Sequence, residues 1–242
     1  MSSLASDLRV LRQLLLHRTT GTNHKERLES FYGGQASDYD SFRRRLLHGR
    51  SDLFDRLEFP GGGVWADMGC GTGENLEHVG ARLGQLSHVH LIDLSESLLS
   101  VARQRVGRGV ACDVSVHNAD ATEIDLQDES VDVVTFSYSL TMIPDWFSAI
   151  ENAWRMLRPN GCIGVVDFYV SRKHAAPSAT QHGWWSRTFW QNWFAMDNVF
   201  LQGDHLAMLQ RRFTTVDLQE DRGDVPYLPM LKAPFYAFVG RK

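Results

Sequence analysis

Residues 64 to 75 run Val64-Trp65-Ala66-Asp67-Met68-Gly69-Cys70-Gly71-Thr72-Gly73-Glu74-Asn75, an apolar stretch feeding a loop with glycine at every second position. An apolar strand, close-set glycines and then a helix let the backbone approach a ligand closely. The unpaired N–H groups at the helix start then point at its polar part. The spacing narrows the ligand. A dinucleotide loop needs a small residue in the third glycine slot, where this chain has Glu74, whose bulk and charge oppose a pyrophosphate. A phosphate-gripping P-loop needs a following Gly-Lys-Ser/Thr, which is absent. Asp67, Gly69, Gly71, Gly73 and Asn75 are therefore candidates for holding a different cofactor.

Three further segments extend the pattern. His88 to Leu94 alternates like a strand and ends at Asp93, twenty residues beyond Gly73, with Leu94 after it. An acid at the carboxyl end of the second strand can chelate two ribose hydroxyls. The next strand delivers Asp120-Ala121, where the acid can accept from an adenine amino group and a backbone amide can meet the ring. Ser130 to Ser137 leads into Tyr138 to Pro144, which adds Ser137 and Met142 to the candidate contacts. Asp93 as a helix-starting acid and Asp120 as a turn former are the alternatives.

Taken in order, D-x-G-x-G-x-G and these three segments resemble the cofactor motifs of Rossmann-like methyltransferases that bind S-adenosylmethionine. The resemblance implies an α/β fold: a seven-stranded, mostly parallel sheet with helices on both faces and an antiparallel C-terminal strand. The periodicity agrees, switching repeatedly between strand and helix. Strands are expected at 63–68, 88–93, 113–118, 131–137 and 162–168, and helices at 74–84, 96–106 and 145–158. The last helix carries Trp146, Phe147, Ile150, Ala153, Trp154 and Leu157 on one stripe and is stopped by Pro159-Asn160-Gly161. Residues 213–220 and 234–241 read as two closing strands.

With 242 residues, 43% of them hydrophobic, one large core suffices. A net charge of −4 leaves no broad basic field, so nucleic acid is not expected as a partner. Residues 1–50 nevertheless carry nine Lys/Arg against five Asp/Glu. The three cysteines, Cys70, Cys112 and Cys162, lack C-x-x-C spacing and fit a reduced, cytoplasmic protein. The ten histidines show no metal-binding spacing, and no metal is expected. Neither a membrane-spanning run nor a signal peptide is read in the chain.

Two segments fall outside the core pattern. Residues 1–50 form an expected N-terminal helical cap on a core of 51–242. Within the cap, residues 4–18 place Leu4, Leu8, Leu11 and Leu15 on one stripe, with Arg9, Arg12 and Arg18 available to an anionic surface. This makes a peripheral contact at the inner membrane face a candidate role; simple packing on the domain is the alternative. The second segment, residues 171–212, holds Trp184, Trp185, Trp190 and Trp193, four of the chain's seven tryptophans within ten residues. A substrate-binding insertion at a lipid boundary and a satellite core beneath a long loop both account for that density.

Longer segments resemble one family in particular. Phe31-Tyr32-Gly33-Gly34-Gln35-Ala36 through Tyr39-Asp40-Ser41-Phe42-Arg43, Leu46-Leu47-His48-Gly49-Arg50, Phe136 to Trp146 and Val165 to Arg172 are similar to segments of the N-methyltransferase of betaine-lipid synthesis. Cys70 stands where that family's loop has glycine. The resemblance implies threefold methylation of the amino group of diacylglycerylhomoserine, an aminolipid substrate, and a partner enzyme supplying it.

Methyl transfer to an amine is an in-line displacement in which positive charge migrates to the acceptor, so the protein must align atoms and exclude water. The amine must first lose a proton. Once quaternary it offers no hydrogen bond, and aromatic faces become its natural contacts. Tyr39 and Tyr138 are catalytic candidates and Tyr32 a substrate contact; an interior tyrosine is the alternative for each. Asp167, at the end of the fifth strand, and His182 are candidate proton acceptors, with capping or turn roles as alternatives. Arg172 is a candidate for the substrate carboxylate, and Trp184 and Trp185 for the rest of the lipid. Other acceptors, such as a quinone or a soluble amine, and a catalytically silent cofactor-binding module remain open.

Overall fold

Residues 45–175, 179–196, 198–226 and 228–242 are described by the computed structural model. The expected helix at 4–18, Tyr32 and Tyr39 lie outside them. Seven strands form one sheet: β1 (Val64–Met68), β2 (His88–Asp93), β3 (Asp113–Asn118), β4 (Val131–Ser137), β5 (Leu157–Phe168), β6 (Thr214–Val225) and β7 (Leu228–Arg241). Their spatial order is β3-β2-β1-β4-β5-β7-β6. The first five pair in parallel, and β7 runs antiparallel to both β5 and β6. The expected seven-stranded, mostly parallel architecture is therefore the observed one. Strand order reverses between β1 and β4, the point where open parallel sheets leave a crevice beyond their carboxyl ends.

Strand alternation builds a core on each face. One side gathers Trp65, Val89, Leu91, Val133 and Val166 with Leu53, Phe54 and Leu99. These last three come from α1 (Arg50–Arg56) and α3 (Glu96–Gly107). The other side gathers Ala66, Met68, Ile92, Val134 and Phe136 with Ile150, Leu206 and Leu209. Those helical residues belong to α4 (Trp146–Met156) and α6 (Asp204–Arg212), while α2 (Asn75–Val79) follows the glycine loop and α5 (Trp184–Ala195) lies between β5 and α6. Burying each large apolar side chain contributes about 1.5–3 kcal/mol. Caps fix the helix starts: Ser95 accepts from the Leu98 N–H, and Asp145 accepts from the Ser148 N–H.

Two expected helices end early. The one starting near residue 74 gives way at Gly80 (φ +57°) to a 3-10 turn over Gly80–Gln85. The one starting near 145 ends at Met156 because Leu157 is extended and pairs with Val131. Pro159-Asn160-Gly161 thus lies inside β5, where Asn160 at φ +67° forms a kink and a Cβ on Gly161 would come within 2.9 Å of the Arg158 carbonyl oxygen.

Candidate functional site

The glycine loop is fastened to the end of β2. Gly69 and Cys70 both donate to the Ile92 carbonyl, at 2.8 and 2.9 Å, and Gly71 donates to Asp93 Oδ2 at 2.8 Å. Gly69, Gly71 and Gly73 all have positive φ, between +57° and +75°. At Gly69 the need is also steric, since an added Cβ would lie 2.4 Å from that of Ser139. Asp93 Oδ1 accepts from the Ser95 N–H at 2.9 Å, so this carboxylate orients both the loop and the start of α3.

Beyond these strand ends opens a cleft with about 600 Å³ of empty space. Of the expected site residues, Gly69, Gly71, Asp93, Leu94, Asp120, Ala121, Tyr138 and Met142 come together on its wall. Leu98, Ser139, Ile143 and Pro144 line it as well. Leu98 could have been found from the sequence, since it lies in the first turn of the helix that follows Asp93. Asp120 forms the turn considered for it and also lies on the cleft wall. Its Oδ1 accepts from the N–H and hydroxyl of Thr122. Two acids spaced along an otherwise largely apolar slot suit a ligand with vicinal hydroxyls and a flat amine-bearing ring. The residues present thus fit an adenosyl cofactor.

Several candidates do not reach this wall. Asp67 is fully buried and accepts from Thr135 Oγ1 at 2.7 Å and from Asn75 Nδ2 at 2.9 Å. Burial pushes its carboxyl up to about 6, against the pull of those hydrogen bonds and of Arg50. Arg50 in turn donates to Glu74 at 2.7 Å and to Asn75 at 2.8 Å. Asp67 and Asn75 accordingly brace the loop from behind. The charge of Glu74 is turned onto Arg50, so its opposition to a dinucleotide lies in bulk at the helix start. Gly73 packs toward Ala102 of α3. Ser137 is buried, and its hydroxyl finds no partner among the described residues.

The proton-acceptor candidates are also placed differently from expectation. Asp167 is fully buried and accepts from Thr141 Oγ1 at 2.7 Å, the Thr141 N–H at 3.1 Å and the Phe168 N–H at 2.8 Å. It pins the segment after β4 whose next residues form the cleft wall; burial raises its carboxyl to about 7 despite those bonds. His182 is buried away from the cleft. Its Nδ1 accepts from the Ser171 N–H at 3.0 Å while the His182 backbone N–H donates to Ser171 Oγ at 2.8 Å. Burial, reinforced by Arg222, lowers it to about 4 and leaves it neutral. Arg172 donates to Asp204 at 2.6 Å, and Trp184 and Trp185 project into solvent.

Tyr138 does face the cleft, held at φ +56°, with its hydroxyl donating to the His48 carbonyl at 2.6 Å. Burial pushes its phenol well above the ordinary value, so it remains protonated at neutral pH. Its ring continues a series, 4.6 Å from Phe168, which lies 4.5 Å from Phe194. Arg50 and Thr141 are the functional supports that the motifs did not single out. Both act across long sequence separations, 24 residues to Glu74 and 26 to Asp167.

Residues 66–161 match a family model described as a methyltransferase domain. The demethylmenaquinone methyltransferase of Oceanobacillus iheyensis is 25% identical over 151 residues, covering 60% of this chain and 63% of that protein. The Listeria welshimeri enzyme of the same name is 30% identical over 101 residues, covering 42% and 43%. The chain thus spans less than two thirds of the length of these curated relatives. Among solved structures, phosphoethanolamine N-methyltransferase 2 of Haemonchus contortus superposes with a TM-score of 0.69 at 14% identity, over 92% of this chain and 60% of that one. The YcgJ protein of Bacillus subtilis gives 0.62 at 14% identity, over 81% and 98%. The fold is that of the Rossmann-like methyltransferases.

Proposed function

We propose that the protein is an S-adenosylmethionine-dependent N-methyltransferase whose acceptor is the amino group of diacylglycerylhomoserine, carried through to the trimethylated betaine lipid. The observation that carries the methyl-transfer reading is the cleft itself, with Gly69 and Gly71, two acids along an apolar slot, and the Tyr138 ring all on one wall. Bound there, S-adenosylmethionine supplies an electrophilic methyl carbon on a sulfonium. Asp93 would take the ribose hydroxyls, Asp120 and Ala121 would meet the edge of the base, and Leu94, Leu98, Met142 and Ile143 would keep water from it.

An amine acceptor suits this wall better than a carbon acid. The described lining includes no His, Lys or Cys, and the Tyr138 proton is committed to His48. An amine can arrive already deprotonated from solution, and it then needs chiefly alignment and a surface that tolerates growing positive charge. The Tyr138 ring, backed by the buried Phe168, supplies such a surface. A structural neighbour named for phosphoethanolamine supports an amine as well. The lipid identity rests on the family-like segments around Tyr39, Tyr138 and Asp167. A quinone acceptor is the second reading, favoured by the names of the sequence relatives.

Purified protein incubated with methyl-labelled S-adenosylmethionine and detergent-solubilised diacylglycerylhomoserine should yield mono-, di- and trimethylated products by mass, with demethylmenaquinone left unlabelled in parallel. Labelling of the quinone alone replaces the amine reading with the second one. Tight cofactor binding without turnover on either acceptor identifies a silent module.

A further inference from the structure

Helical period divides the aromatic insertion. Trp190 and Phe194, one turn apart on α5, are buried and extend the ring series from Phe168. Trp184 and Trp185, at the start of the same helix, are 61% and 74% exposed and meet edge to face at 4.9 Å. Two more exposed rings lie in segments joined to the cleft wall. Phe147, 53% exposed, follows three residues after Pro144 of the cleft wall. Phe200, 51% exposed, donates its N–H to the Thr141 carbonyl beside Met142. All four lie in segments that follow the carboxyl ends of β4 and β5, the edge where the cleft opens. Single exposed apolar residues are ordinary; several aromatic ones gathered on the edge of a binding cleft mark an interaction surface.

Charge selects the partner. Residues 171–204 carry Arg172, Lys173 and Arg187 against Asp197 and Asp204, with Arg172 paired to Asp204, so Lys173 and Arg187 supply the basic charge of this edge in a chain whose net charge is −4. On this edge Arg187 reaches toward the Arg172 carbonyl, and Lys173 is exposed between Arg172 and the aromatic helix. Exposed tryptophan has an apolar body and one N–H, which suits a headgroup boundary, and local basic charge is drawn to anionic lipid.

We propose that this edge seats on an anionic lipid bilayer, with Trp184 and Trp185 at the headgroup boundary and the cleft mouth turned toward the membrane. The seat rests on the lipid-acceptor reading for its purpose, since an acceptor with two acyl chains must be taken from a bilayer. Its binding is testable without turnover.

The full chain should co-sediment with phosphatidylcholine vesicles containing phosphatidylglycerol, and more weakly without that lipid or at high salt. Replacing both tryptophans (W184S/W185S) should lower the partition constant about tenfold or more. Val216→Ser, an exposed apolar residue of β6 near the opposite end of the sheet, should leave it unchanged. Brominated acyl chains should quench the fluorescence of the wild type, which keeps the proposal open to test should the double variant fold poorly. Absence of sedimentation, absence of quenching, or sedimentation unaltered in a folded W184S/W185S variant overturns the seat. Wild-type turnover of detergent-solubilised acceptor without vesicle binding overturns the seat and leaves the acceptor reading standing. Vesicle binding without turnover does the reverse.

Discussion

Asp93 and Asp167 occupy equivalent places, each at or next to the carboxyl end of a parallel strand, yet one borders the cleft and the other is sealed behind it. The difference lies in what the following segment does. After β2 the chain turns into α3, so Asp93 spends its oxygens on Gly71 and Ser95 at the rim and keeps a face to the cleft. Beside β5 the segment following β4 folds over the strand end. Thr141 and the Phe168 N–H then enclose Asp167 completely. What separates the two acids is thus coverage: a neighbouring segment folds over Asp167, and Asp93 keeps a face on the cleft although backbone amides also bond to it.

The sharpest break of the rim side is Gly69→Ala. The substitution demands positive φ of a residue with a Cβ and drives that Cβ into Ser139, which itself donates to the Met68 carbonyl. Strain and overpacking together should cost roughly 3 kcal/mol of stability, read by denaturant unfolding. Cofactor affinity measured by calorimetry should fall with it. A variant of native stability and affinity would mean that the loop conformation described here is not the working one.

Exchanging the two acids sharpens the comparison further. Asp93→Ala removes charge-assisted acceptors from a half-enclosed wall and should weaken S-adenosylmethionine by about 1.5–3 kcal/mol. Asp167→Asn should leave cofactor binding nearly intact and instead alter the dependence of stability on pH. The Asp167 carboxyl is raised to about 7 in the fold, above its unfolded value. The stability it contributes is therefore fully present below pH 4 and lost as pH rises through 7. His90, His182 and His205, each lowered to about 4 chiefly by burial, act oppositely and lose stability as pH falls from 6.5 toward 4. Only the difference between wild type and Asp167→Asn isolates the acid. Wild-type stability relative to the variant should decline from pH 4 to pH 7; a flat difference would place Asp167 in a more polar setting than the one seen.

The cofactor side was legible in the sequence because its determinants are local. Positive φ at Gly69 and Gly71, the alternation of β2 and the acid closing it are each written within a few residues. What escaped is written across distance. Nothing near Asp167 announces Thr141, and nothing near Glu74 announces Arg50. His182 shows the converse error, since a histidine opening an aromatic insertion has the look of a base until its ring and backbone are found clasping Ser171. The tryptophan cluster also read as one feature. The helical period split it into a buried pair of rings, Trp190 and Phe194, and an exposed pair, Trp184 and Trp185.

Tyr138→Phe is the smallest and most discriminating change. The hydroxyl donates to the His48 carbonyl, ties the segment before α1 to the cleft wall, and is held as a phenol by burial. Removing it leaves one carbonyl unpartnered at a cost of about 1 kcal/mol. The ring remains at its distance from Phe168 and still faces the cleft. Turnover should therefore fall by less than about tenfold, with cofactor affinity and the pH profile of kcat unchanged. Loss of the ring in Tyr138→Ala should cost more than loss of the hydroxyl. If Tyr138→Phe abolishes turnover while Tyr138→Ala does no worse, the phenol carries the proton after all. The rim side of the comparison would then gain the catalytic group that Asp167, sealed on the other side, cannot supply.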